Sequence, residues 1–456
     1  MATSISYSNV DGVGVDVGVV MNQMKHPSIL FLYLPIVFLP ILGIFKGDNF
    51  YLNFLIVLLF NVLILMDMKD KKGYLFSPSF ISIFYLYINF IFGELLFYND
   101  IFKLAPDKSE YYSMWKTLDR NTLIYNICTL LIVLSYLNAR PMKTRIFRFK
   151  RIPWLNGITC LISLLIILLS KVDILIQLLP FFSILLIGMS SKLKTPIRFI
   201  AYMLVVGLIV ALNPDNKRES IFLLYPIVFI EALKIRKIKL KYIFMSFGGA
   251  AFVFIAIVVM SIMRAEMADN FLSSLNMVSV YITSDAALSL VADNFEISWC
   301  YINTFQSMEF INNDSSLLGW GISYLKPLFW PISRDIWPDK PESTMLLYTA
   351  VYDKARKIDG LSLPIPIVSD LYWNFKYFAI PFVYIVHYWL NNIYKTGLRV
   401  IRDNQNNVEL CTGEFAGLYF MFVFLLLMRG CGLDLYLICL IVFYILLKTV
   451  IYCSKK

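Results

Sequence analysis

Apolar residues along this chain come in long unbroken runs, not in the alternation of a half-buried strand or the one-sided stripe of a soluble helix. A run of about 20 such residues is what an α-helix needs to cross the roughly 30 Å hydrocarbon layer of a bilayer. Inside that layer each backbone N–H and C=O must be satisfied within the segment, which a helix achieves. Runs of this kind fall at 28–45, 49–67, 79–97, 121–138, 153–170, 173–190, 197–213, 219–234, 242–263, 372–391, 412–429 and 433–452. The pattern predicts an all-α polytopic integral membrane protein with about twelve transmembrane helices. The count falls to eleven if the pair around Lys171-Val172-Asp173 is one bent hairpin.

Basic residues orient these helices, because short cytoplasmic loops retain Lys and Arg and short external loops lose them. Lys69 to Lys72, Arg140 to Arg151, Lys192 to Arg198, Lys234 to Lys241, Lys395 to Arg402 and Lys455-Lys456 fall on every second connection. Both termini are therefore expected in the cytoplasm. Residues 1–27 form a tail without the charged start and short apolar core of a cleaved signal, and 28–263 hold helices one to nine. Residues 372–456 hold helices ten to twelve and a cytoplasmic tail. The intervening 264–371, roughly 108 residues long, becomes one large external loop. Within it, helix-compatible spacing runs from Asn270 to Leu290, and 344–357 fits a surface helix.

Composition agrees and removes some function classes. Hydrophobic residues make up 59% of the 456, and only 16% are charged against about 25% in soluble domains. The net charge of +10 would suggest nucleic acid in a soluble protein, but here it is absorbed by orientation in the membrane. Neither the seven cysteines nor the two histidines, His26 and His387, have metal-ligand or triad spacing. Topology puts only Cys300 and Cys431 outside. A disulfide between them is open, with free buried thiols the plainer reading. His387 reads as a packed helix residue.

Four arginines stand at the outer end of the helices, the side that the charge rule disfavours: Arg218 at the start of helix eight, Arg264 closing helix nine, Arg334 in the loop and Arg429 closing helix eleven. The planar guanidinium donates two parallel hydrogen bonds and suits a pyrophosphate, with Lys217 adding a point charge. The plainer alternative is snorkelling to headgroups, or pairing with Glu219 or Glu266. The stretch Leu318-Gly319-Trp320-Gly321-Ile322-Ser323-Tyr324, and then Trp330 to Pro341 with Trp337 and Lys340, has the Gly, Pro and aromatic content of a shaped loop. Its rings could pack on sugar faces or seat the loop at the headgroup boundary. Asp370, followed by Tyr372 and Asn374 at the mouth of helix ten, is one of several external acids that could take a proton from a hydroxyl; partial burial there would raise its pKa. Asp335, Asp339, Glu342 and Glu266 are others, and Glu94 near the outer end of helix three is a lesser candidate.

At these residues the chain resembles the Wzy-type oligosaccharide repeat-unit polymerases of O-antigen and capsule synthesis. The likeness rests on Lys217-Arg218-Glu219-Ser220, the stretches from Leu318 and Pro331, Asp370-Leu371-Tyr372-Trp373-Asn374-Phe375 and Arg429-Gly430. It implies a metal-independent membrane glycosyltransferase of the bacterial cytoplasmic (inner) membrane, with a periplasmic loop and no cofactor. Such an enzyme moves a growing glycan en bloc from undecaprenyl pyrophosphate to a new lipid-linked unit, beside membrane lipid and a chain-length-determining membrane protein. The resemblance makes Arg218, Arg264, Arg334, Arg429 and Asp370 the catalytic candidates. Lys217, Trp320, Tyr324, Trp337, Lys340, Tyr372 and Asn374 become the substrate-binding candidates. An O-antigen ligase-like transferase or a lipid-linked oligosaccharide flippase shares much of the topology, although the off-centre loop and the lack of repeat symmetry argue against alternating access.

Overall fold

The computed structural model describes residues 23–43, 49–101, 109–143, 179–212, 217–235, 255, 258–259, 262, 271–283, 297–358, 360–407, 409–430 and 432–455. Among them the backbone is predominantly helical and contains no strand; Met24 and Met68 form an isolated bridge. Among the described residues, three helices are long and apolar enough to cross a membrane: Phe50–Asp67 (α2), Pro78–Tyr98 (α3) and Thr412–Arg429 (α14). A fourth is added if Ser109–Thr117 (α4) and Thr122–Asn138 (α5), bent by 91° at their junction, count as one span.

Local chemistry sets several of these boundaries. Ser77 accepts the Phe80 N–H ahead of α3, and Pro78 occupies the first turn, where its missing N–H costs nothing. The expected span at 28–45 is shorter in the structure: Ile29–Phe38 (α1) passes into a 3-10 turn, Leu39–Leu42, which ends at Gly43. Pro35 and Pro40 interrupt its hydrogen-bond ladder. Leu179–Ser190 (α6), Thr195–Leu212 (α7) and Lys217–Lys234 (α8) follow. The expected spans at 153–170 and most of 242–263 lie outside the described residues.

The region expected at 372–391 differs most clearly. It divides into Ile367–Phe375 (α12) and Ala379–Asp403 (α13), separated at the short 3-10 turn Lys376–Phe378, whose first residue has a φ of 50°, outside the right-handed helical region. Helix α13 then runs well past the apolar stretch, carrying His387, Asn391, Tyr394 and Lys395 into the bundle. His387 is wholly buried, with one ring nitrogen 2.9 Å from the Val383 carbonyl and the other 3.2 Å from Ser82 Oγ. Asn391 donates to Ser79 Oγ at 2.8 Å and Ser135 Oγ at 3.0 Å, joining α13 to α3 and α5. On its other side α13 meets α14 through glycine: a Cβ on Gly397 would stand 2.8 Å from the Gly417 Cα. Small residues at such a crossing let two backbones approach closely where no hydrophobic effect drives helices together. The final helix is Leu433–Lys455 (α15).

The region expected as an external loop is itself helical in part, with Phe271–Thr283 (α9), Ile297–Asn313 (α10) and Thr344–Tyr352 (α11). Helix α10 does not hang free. Tyr301 and Phe305 pack with Phe54 and Phe90 of α2 and α3, and Gly93 is so close that a Cβ there would lie 2.7 Å from the Tyr301 ring. Asn303, Thr304, Gln306 and Ser307 break its apolar run, yet all four are buried. Their polarity is absorbed by partners: Asn303 Nδ2 donates to the Pro364 carbonyl at 3.1 Å, and the Tyr348 hydroxyl lies 2.9 Å from Gln306 Oε1.

Candidate functional site

The segments singled out in the sequence meet around α12. Asp370 and Asn374 are four residues apart on it and share a face, both wholly buried. The Asn374 amide nitrogen lies 2.9 Å from the Asp370 carbonyl, 3.0 Å from Thr344 Oγ1 and 3.3 Å from the Tyr324 hydroxyl. Its oxygen accepts from the Gly321 N–H at 3.2 Å and from Ser323 Oγ at 3.0 Å. One side chain thus holds Gly321, Ser323 and Tyr324, and the Gly319 N–H donates to the adjacent Trp373 carbonyl at 3.1 Å.

That grip requires glycine on both sides of Trp320. A Cβ at position 319 would meet Asn374 Oδ1 at 2.7 Å, and one at 321 would meet the Phe375 ring at 2.9 Å, with φ already at +75°. Between them Trp320 adopts φ 50°, a left-handed conformation that an L side chain populates at a cost of roughly 1–2 kcal/mol. The residue is 74% exposed. The loop therefore holds a large aromatic outward at a backbone cost, and strain of this kind clusters at active sites and ligand clamps.

The Asp370 carboxylate closes the site from the other side. Its Oδ2 accepts the Leu433 N–H at 3.0 Å, at the start of α15. The preceding turn is fixed by Gly430, where φ is 101° and a Cβ would lie 2.8 Å from the Ile365 backbone. Burial raises the Asp370 pKa to about 6, and Asp434 adds to this; Thr344, the Leu433 N–H and Tyr324 pull the other way. Burial, with Asp370 beside it, holds the Tyr324 phenol well above its ordinary range. Asp434 is also buried and stands 3.1 Å from Lys326 Nζ, although neither of its oxygens has a hydrogen bond of good geometry among the described residues. The attraction is thus an ion pair with spare acceptor capacity.

Arg429 lies half-buried at the end of α14, one residue before the Gly430 turn. Arg334 is exposed; it donates to the Pro338 carbonyl at 3.0 Å and stands 3.9 Å from Glu342. Lys340 donates to the Ile332 carbonyl at 2.6 Å, so both cations brace the Trp330 to Pro341 stretch from within. Trp337 stacks edge-on with Phe329 at 5.0 Å. Tyr372 is buried and donates to Asn312 Oδ1 at 2.7 Å, which ties α12 to α10. Arg264 is outside the described residues. Lys217 and Arg218 open α8, and their side chains are outside the described set. Cys300 is buried, while Cys431, its candidate disulfide partner, is not among the described residues.

Lys326, Asp434 and Thr344 were not singled out from the sequence. Asp434 carried a usable signal, since an acid in the first turn of an apolar run needs a partner. Nor was Arg120 singled out, which anchors the lesser candidate Glu94. The Arg120 Nε is 3.3 Å from Glu94 Oε2 and 2.8 Å from the Tyr301 hydroxyl, which itself donates to Glu94. The Trp115 indole N–H completes that carboxylate at 3.1 Å. Glu94 borders a cavity of about 260 Å³ with Asn49, Tyr51 and Tyr98.

The chain matches no protein-family model, and neither a curated protein nor a solved structure shows significant similarity to it.

Proposed function

We propose that this protein is a polymerase of undecaprenyl-pyrophosphate-linked oligosaccharide repeat units in the bacterial inner membrane. The observation that carries this reading is the convergence of Leu318–Tyr324, Asp370–Asn374 and Leu433-Asp434 at the start of α15 on one buried polar knot that presents Trp320 outward. In the reaction, a hydroxyl of the incoming unit's terminal sugar attacks the first carbon of the donor glycan. The carbon–oxygen bond to pyrophosphate breaks, the new glycosidic bond forms, and the hydroxyl proton leaves to a base or to water. Charge grows on the departing pyrophosphate, so fixed cations there lower the barrier; one preorganised donor is worth about 10²–10³ in rate. Arg218, Arg264, Arg334 and Arg429 are the proposed donors, and a chain-length-determining membrane protein is a proposed partner. Asp370 is sealed from solvent, so its proposed role is to position the Trp320 loop against α15, with the exposed indole as the sugar platform.

The experiment is the lipid-linked and surface glycan profile of a strain lacking this protein. Single repeat units on the acceptor support polymerisation. Unattached long chains point to a ligase, and repeat units trapped on the cytoplasmic face point to a flippase.

A further inference from the structure

A second cavity, about 410 Å³, opens at the opposite end of the bundle from Glu94, where α2 ends and α13 emerges. Four cations line it, Lys69, Lys395, Arg399 and Arg402, against two carboxylates, Asp70 and Asp403. Two of the cations are committed. Arg402 grips Asp70 through both terminal nitrogens at 2.8 Å, and Lys395 donates to Gln23 Oε1 and to the Tyr136 and Ala139 carbonyls. Arg399 reaches Asp403 only at 3.8 Å, with both side chains about two-thirds exposed, and Lys69 is exposed. The wall thus keeps a surplus of positive charge on two side chains free to turn towards a ligand.

An apolar track leads to this cavity. Leu59, Leu63 and Met66 are exposed at i, i+4 and i+7 of α2, a single stripe that ends one turn before Lys69. On a helix apolar enough to cross a membrane, such a stripe faces acyl chains, which sets the cavity at headgroup depth. Met68 and Leu398 extend the apolar lining into the cavity itself. Basic pockets between transmembrane helices on this side are suited to phosphate-bearing headgroups.

We propose that this cavity binds the phosphodiester headgroup of an anionic phospholipid, with Lys69 and Arg399 as its ligands and one acyl chain along Leu59, Leu63 and Met66. The site is separate from the glycan chemistry and stands or falls independently of it.

The full-length protein, purified in neutral detergent and stripped of lipid, is titrated with phosphatidylglycerol, phosphatidylcholine or glycerol phosphate, and bound lipid is counted by native mass spectrometry. Phosphatidylglycerol should bind in preference to phosphatidylcholine. Each cation near the headgroup contributes about a fivefold affinity gain, so Lys69→Gln with Arg399→Gln should weaken it by roughly twenty-fivefold. Both residues are exposed, and an unchanged elution profile confirms that the double variant is folded. Equal binding of both lipids, or a double variant that binds like wild type, overturns the proposal. Competition by glycerol phosphate at equal concentration would assign the site to a soluble phosphate, and overturn the lipid assignment.

Discussion

Trp320 holds the clearest conflict between a residue's own preference and its place. Its φ of 50° suits glycine, so Trp320→Gly should leave thermal stability unchanged or raise it by up to about 1 kcal/mol, while shortening or abolishing polymer. Thermal unfolding beside gel analysis of the glycan checks this; full-length polymer from the glycine variant would reduce Trp320 to an interface anchor. Asn374 is the reverse case, because removing it takes the acceptor from the Gly321 N–H and from the Ser323 hydroxyl and a donor from the Asp370 carboxylate together. Asn374→Ala should cost about 3 kcal/mol, measurable by thermal or denaturant unfolding in detergent. Asp370 adds a pH dependence. Its folded pKa of about 6 lies above the usual 3.8, so the folded state holds the proton more tightly. The stability this contributes is full below pH 3.8 and lost as pH rises through about 6. Wild type should therefore lose stability relative to Asp370→Asn across that window and run parallel to it above. A difference independent of pH would refute the buried, raised carboxyl.

At the scale of elements, the apolar runs at 49–67, 79–97 and 412–429 were legible because length and continuity decide them, and the helices Phe50–Asp67, Pro78–Tyr98 and Thr412–Arg429 lie within a residue of those bounds. Helix α10 was not legible as part of the bundle. Its Asn, Thr, Gln and Ser residues are polar in sequence and become acceptable in the core only through partners far along the chain, such as Pro364 and Tyr348. The same holds for the site: the glycines around Trp320 and the Asp370–Asn374 pair could be singled out, but Thr344 and Lys326 belong to it only by tertiary contact. The break at Lys376 had no glycine to announce it; only Pro381, in the first turn of α13, marked a helix start nearby. Close packing of α13 on α14 gives a further expectation. Gly417→Val would drive a branched side chain into the Gly397 backbone, and should lower the unfolding temperature and yield sharply, whereas an exposed α13 change such as Arg399→Gln should do neither.

For the whole molecule, the two ends of the bundle differ in charge chemistry. One carries Lys69, Lys395, Arg399 and Arg402; the other carries the Trp320 loop, the Asp370 knot and the Arg120–Glu94 pair. The proposed topology puts the basic end in the cytoplasm, where short loops retain Lys and Arg. A reporter fused after the exposed Gly360 should accordingly be active only outside, and cytoplasmic activity would reverse the topology. The most direct measurement reconstitutes the purified protein in liposomes with undecaprenyl-pyrophosphate-linked repeat units and follows both glycan length and free undecaprenyl pyrophosphate. Polymerisation predicts a ladder of multiple units, one undecaprenyl pyrophosphate released per unit added, and loss of the ladder in Arg429→Lys at normal protein levels. Repeat units that stay single, with no pyrophosphate lipid released by the wild-type protein, would contradict it.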